Sequence, residues 1–171
     1  MSEFAIREEA PPDYADVDRV QEAAFGSPGE AELVRILRES VHPQLSLVAE
    51  LRGVVVGHIF FSPVSIEGAV SSPSVAGLAP LAVAPETQRQ GAGSALVRAG
   101  LRACVPLGWH AVFLLGDPEY YSRFGFVLAA PLGLRYESES FDSAFQVIEI
   151  VPGALSACAG WVRYHEAFAK F

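Results

Sequence analysis

From Ser74 to Leu115 the chain passes through a β-rich run, a glycine turn, a helix and a second apolar run. Ser74 to Val83 reads as a strand, and Gly91 to Val105 as a helix stopped by Pro106 and Gly108. Ala111 to Leu115 is short and wholly apolar, as a strand buried on both faces is. A strand, a helix and a strand in that order pair their strands in parallel, with the helix crossing one face of the sheet. Pro80 interrupts the first of these strands. It has no N–H for the ladder, so it marks an edge or a bulge.

The remaining segments arrange themselves around this unit. Phe4 to Glu8 alternates as a short edge strand ended by Pro11-Pro12. Asp13 is placed to cap a helix reaching Phe25, with Val17, Val20 and Ala24 at helical spacing. Gly26-Ser27-Pro28-Gly29 is a turn, and Glu30 to Ser40 a second helix. Leu45 to Leu51 and Val54 to Ser65 form a hairpin about Arg52-Gly53. Pro118 to Arg123 permits a short helix ended by Gly125, and Phe145 to Val151 is a last strand. The expectation is an α/β chain with a mixed α+β sheet flanked by helices, one domain over residues 1–171.

Charge and composition narrow the function. The 171 residues are 51% hydrophobic and 19% charged, which is a core-forming balance. With 12 Lys plus Arg against 20 Asp plus Glu, the net charge of −8 argues against nucleic-acid partners. No apolar run approaches the roughly 18 residues of a membrane span, and no secretory leader is visible. Cys104 and Cys158 are too few and too far apart for a disulfide scaffold or a paired zinc site. The expected address is cytoplasmic, without metal, membrane or nucleic acid. Lys170 is the sole lysine, so a GxxxxGK[ST] phosphate loop is excluded.

Gln88-Arg89-Gln90-Gly91-Ala92-Gly93 lies between strand and helix. With 15 glycines in 171 residues, roughly 1.3 GxG pairs arise by chance, so the pair alone carries nothing. Its setting carries more. A helix start exposes unpaired N–H groups and the positive end of the helix dipole, and glycine lets a phosphate approach them. A dinucleotide-binding GxGxxG would need glycine where Leu96 stands.

The segment Val83-Ala84-Pro85-Glu86-Thr87-Gln88-Arg89-Gln90-Gly91-Ala92-Gly93-Ser94-Ala95-Leu96 resembles the acetyl-coenzyme A motif, [QR]xxGx[GA], of GNAT N-acetyltransferases. Tyr121-Ser122-Arg123-Phe124-Gly125-Phe126 is similar to that family's later Tyr-x-x-x-Gly-Phe element. Gly57-His58-Ile59, Gly116 to Tyr121 and Val162-Arg163-Tyr164-His165 look like an uncharacterised bacterial subgroup of it. The resemblance implies a GNAT-like fold with a splayed central sheet. It implies an N-acetyltransferase using acetyl-CoA and an amine acceptor, small molecule or peptide, in a ternary complex.

On that resemblance, Leu81, Ala82 and Val83 carry the pantetheine arm through main-chain bonds, with the Leu81 amide as oxyanion donor. Gln88, Arg89, Gln90, Gly91, Ala92, Gly93 and Ser94 receive the pyrophosphate. Tyr121 is the general acid for the leaving thiolate, since a phenol with pKa near 10 can donate to it, while Tyr120 points elsewhere and packs. No carboxylate stands in Ala79 to Val83, so His58 is the base candidate, ahead of Glu67 and Glu149, with loss of the amine proton through a water chain as the alternative. Glu137, Glu139 and Asp142 are an acidic rim suited to a cationic acceptor. A non-catalytic acyl-CoA sensor, or an interaction module on the same fold, uses the same residues. Monomer and homodimer are both compatible.

Overall fold

The protein is described by a computed structural model covering residues 3–69 and 71–171. Its main sheet contains β1 (Ala5–Glu8), β2 (Leu45–Leu51), β3 (Val54–Glu67), β4 (Val75–Val83), β5 (Ala111–Leu115), β6 (Val127–Leu128) and β8 (Phe145–Glu149), ordered β1-β2-β3-β4-β5-β8-β6. Two short strands, β7 (Leu134–Arg135) and β9 (Gly160–Arg163), make a second sheet with the far end of β3. The helices are α1 (Tyr14–Phe25), α2 (Gly29–Ser40), α3 (Ala92–Cys104) and the single turn α4 (Pro118–Tyr121). Arg52 and Gly53 both have positive φ (52° and 79°), as the tightest hairpin turn requires, and they set the β2–β3 register.

Period-two alternation buries both faces of the sheet. Leu47, Ala49, Ile59 and Phe61 pack with Leu96 and Val97 of α3. Their neighbours Val48 and Phe60 pack on the other face with Val17, Val20, Val34 and Leu37 of α1 and α2. A third cluster, including Ile66, Phe113, Phe145 and Val162, lies beneath the second sheet.

Asp13 does not cap α1 with its side chain. Its carboxylate accepts instead from Arg7 (2.7 and 2.8 Å) and from the Ala10 N–H (2.7 Å), because that charged partner lies beside it on β1.

Within the main sheet the parallel pairing of the described residues is β4 with β5, and it lasts three residues, Val75–Gly77 opposite Ala111–Phe113. Beyond it β4 bulges. Ile59 faces Leu81 and Phe61 faces Leu78, so Ala79 and Pro80 stand opposite the single residue Phe60. That extra residue bends β4 away from its neighbour, while β5 continues along β8. The sheet therefore splays at the place Pro80 marks.

Gly100 shows how closely α3 approaches the sheet, since a Cβ there would lie 2.5 Å from the Phe61 ring. Alanine favours a helix interior over glycine by about 1 kcal/mol, yet overpacking costs about 1–3 kcal/mol. Gly100→Ala is expected to lower the urea midpoint, with unchanged slope; a rise would show that Phe61 moves freely.

Candidate functional site

Two cavities occupy the splay and meet at Leu81. The first, about 540 Å³, lies over the start of α3 and is lined by Leu81, Val83, Gln88, Arg89, Gly91, Ala92, Gly93 and Ser94, with Tyr120 and Arg123 opposite. Gly91 takes φ +98° with open space around it, so the backbone conformation, not crowding, calls for glycine. Gly93 is needed for room, since a Cβ there would stand 3.0 Å from the Tyr120 hydroxyl. The helix start has no side-chain cap. After the Gln88 N–H, which donates to Pro85 O (3.4 Å), the next N–H among the described residues to find a backbone acceptor is that of Ala95, bonded to Gly91 O (3.0 Å). The preceding N–H groups, the dipole and two guanidinium groups make the cavity suited to a phosphate.

The edge of β4 runs into this cavity. The Ala84 N–H turns inward to Val56 O (2.8 Å), so alternation turns the main-chain groups of Val83 and Leu81 outward to the gap. Gln88 Nε2 already donates to Val83 O (2.9 Å). Ala82 is turned the other way, its side chain in the core. Gln90 lies outside the lining, donating to Glu86 O (3.3 Å). Tyr120 does not pack away from the site as its helical offset suggested. Its hydroxyl lies 3.4 Å from Ser94 Oγ, and Arg123 stacks on its ring at 4.4 Å.

The second cavity, about 370 Å³, is walled by Leu78 to Leu81 of β4, Leu115 of β5 and Phe145 of β8. Phe25, Glu30 and Leu33 close it from α1 and α2, Tyr121 from α4, and Tyr136, Tyr164, Phe168 and Phe171 from the C-terminal third. Two glycines seat two of these rings. A Cβ on Gly77 would lie 2.4 Å from Tyr164, and one on Gly116 2.6 Å from Tyr121. Burial, then the neighbouring Tyr120, pushes the Tyr121 phenol up to about 12, so it stays protonated.

His58 lines neither cavity. It is fully buried, with Nδ1 accepting from Gln21 Nε2 (2.8 Å) and Nε2 placed to donate to Ser46 Oγ (2.7 Å). Glu9, held by Arg38 in a two-point pair (2.7 and 2.8 Å), stands 3.4 Å from Nε2. Burial, then the Arg38 charge, depresses this imidazole to about 3. The acidic stretch also lies off the cavity: Arg135 binds Asp142 and pairs with Glu139, and Glu137 is exposed at φ 50°. Glu67 pairs with Arg163, and Glu149 accepts from the Leu155 N–H.

Among the described residues no cluster of three or more His, Cys, Asp or Glu could hold a metal ion, and no helix is long and apolar enough to cross a membrane. Tyr120, Arg123, Glu30 and the aromatic wall were missed in sequence. Tyr164 lies in a motif singled out there without a role, and the density of rings from Tyr164 to Phe171 was the available signal.

A glycine-built helix start facing the gap between splayed parallel strands is the architecture of an acyl-coenzyme A-dependent transferase. The chain belongs to the GNAT acetyltransferase family, its residues 7–126 matching the Acetyltransferase (GNAT) family. It is 42% identical to the uncharacterized N-acetyltransferase YhbS of Escherichia coli K12 over 167 residues, 97% of this chain and 99% of that one. The crystal structure of E. coli YhbS in complex with CoA superposes with a TM-score of 0.90, covering 98% of this chain and 93% of that one. A Brucella melitensis GNAT acetyltransferase in complex with acetyl-CoA is 38% identical, with a TM-score of 0.77 over 96% and 97% of the two chains.

The buried imidazole has a consequence for pH. Unfolded His58 binds a proton below about 6.5, while the folded state resists it down to about 3. Stability present above pH 6.5 is therefore lost as pH falls, with a slope from this group approaching about 1.4 kcal/mol per pH unit. Urea unfolding between pH 7 and 4.5 should show that slope, and His58→Gln should flatten it by close to one proton. Equal slopes would place the titration elsewhere.

Proposed function

We propose that the protein is an acetyl-CoA-dependent N-acyltransferase, residues 1–171 acting as one domain, in which an amine attacks the thioester directly. The observation that carries this is the meeting of two unlike cavities at Leu81, one suited to phosphate and the other apolar and tyrosine-walled. The N–H groups from Gly91 to Ser94, with Arg89 and Arg123, hold the pyrophosphate. The outward edge at Leu81 and Val83 accepts the pantetheine arm as an added strand, the mode by which extended ligands join a free sheet edge. The Leu81 amide faces the thioester oxygen, where a placed donor strengthens as charge develops.

The acceptor ammonium gives one proton to solvent before its nitrogen attacks; Tyr121 protonates the departing thiolate, and the second proton, shed by the adduct nitrogen, restores the phenol. Its high pKa keeps the proton available, and the same dry surroundings make the thiolate a stronger base. His58 has no part in proton transfer, being sealed from both cavities.

Calorimetry should show acetyl-CoA binding, with a stability gain of about 2.7 kcal/mol at 100 times the dissociation constant. Tyr121→Phe should leave that affinity near wild type and lower kcat by about 10²- to 10⁴-fold. Tyr120→Phe should act on affinity instead, because its hydroxyl faces the phosphate-side cavity. No binding at millimolar acetyl-CoA would overturn the assignment. Binding without thiol release from any amine would make the protein a sensor.

A further inference from the structure

We propose that the 370 Å³ cavity takes a small monoamine with an apolar or aromatic body, and that Glu30 is the carboxylate that meets its positive charge. The inference rests on the transferase reading and adds to it the chemical class of the acceptor.

Among the described residues Glu30 is the sole charged side chain in the lining. Its Oε2 is buried without a hydrogen-bond partner among the described residues. Several carboxylates elsewhere are met by a cation: Glu9 by Arg38, Asp13 by Arg7, Glu67 by Arg163, Asp142 by Arg135; Asp18 also keeps one buried oxygen unbonded, but its other oxygen is held by Arg35. A buried charged oxygen left unmet is costly, and such a group calls for an explanation. Glu30 stands in the first turn of α2, where the helix dipole favours negative charge.

The rings around it suit a cation carrying apolar surface. Aromatic faces attract ammonium groups and stack on apolar bodies. The Tyr121 and Tyr136 phenols are both pushed up to about 12 by burial, so they bring no competing charge. The volume lies at the small end of ligand pockets, roughly 300–1,000 Å³. Among the described residues no Arg, Lys or His lines it, so an amino-acid carboxylate would lack a partner. A polyamine would leave its further ammonium groups among the rings with no counter-charge. The acidic stretch from Glu137 to Asp142 does not contribute, since Arg135 engages it.

The test uses the full chain with acetyl-CoA, following thiol release with 2-phenylethylamine, spermidine, phenylalanine and phenylhydrazine, the last uncharged at pH 7.5. Among the three charged amines, 2-phenylethylamine should have the highest kcat/KM. Glu30→Gln should lower kcat/KM for 2-phenylethylamine on the order of 10- to 100-fold, chiefly through KM, the range for losing a charged hydrogen bond. Its kcat/KM for phenylhydrazine should stay within about twofold, and Glu30→Asp should recover part of the loss. Acetyl-CoA affinity, measured by calorimetry, should be unchanged in both variants, which also reports that they fold. Preference for spermidine or phenylalanine, equal losses on the charged and uncharged acceptors, or no turnover of any of the four would overturn the acceptor class. Failure of the wild type to bind acetyl-CoA would overturn the transferase reading, and this one with it.

Discussion

Past Gly77 and Phe113 the strands β4 and β5 stop sharing hydrogen bonds, and the edge of β4 left over must bond to something. A backbone donor turned into a gap between packed layers needs water or a ligand to satisfy it. The two-for-one bulge at Ala79-Pro80 makes this edge and fixes where it begins. Both cavities follow from it. Leu81 is the first residue after the bulge, and the phosphate-side cavity runs from it toward α3 while the aromatic one runs back along Pro80 and Leu78. Without the bulge the parallel pairing could continue, and α3 would start over a closed sheet.

The aromatic cavity depends on a second, buried interaction. Arg38, near the end of α2, holds Glu9 where both side chains are almost fully shielded from solvent, and Tyr14 covers the guanidinium at 3.9 Å. Breaking such a pair by removing one partner strands the other charge, which costs about 3–5 kcal/mol. The pair ties α2 to the segment after β1, and His58, Ser46 and Gln21 complete the polar cluster beneath it. Glu30 stands at the opposite end of the same helix, so the pair that fixes its C-terminal end helps to orient its N-terminal carboxylate.

Much of this was legible in the sequence, and for identifiable reasons. The strand–turn–helix unit was readable because glycine and proline act locally: Pro80 interrupts a ladder wherever it stands, and Gly91 adopts positive φ whatever surrounds it. β6, β7 and β9 were not readable, having two to four residues each and no period to detect. The aromatic wall escaped because Phe25, Tyr136 and the pair Tyr164 and Phe168 come from three separate segments and share nothing until the second sheet brings them together. His58 was attractive as a base because its residue type has a suitable intrinsic pKa. Burial and Arg38 undo that, and neither is visible along the chain. Tyr120 and Tyr121 were assigned opposite settings from their helical offset, but α4 is a single turn lying between two cavities, so each ring reaches one of them.

The length of β3 bears on the order in which the molecule can be made. Its first half pairs with β2 and β4, which lie close to it in the chain, while its last residues wait for β9. Glu67 and Arg163, paired across that junction, are 96 residues apart. Contacts of such separation form late, because the intervening chain must be closed first. On a ribosome the phosphate-side half has its strands and helix in hand well before Tyr164 and Phe168 emerge. Nascent chains thus have the glycines and helix start of α3 in place before the aromatic wall, so the two cavities are completed in the order in which their residues leave the ribosome.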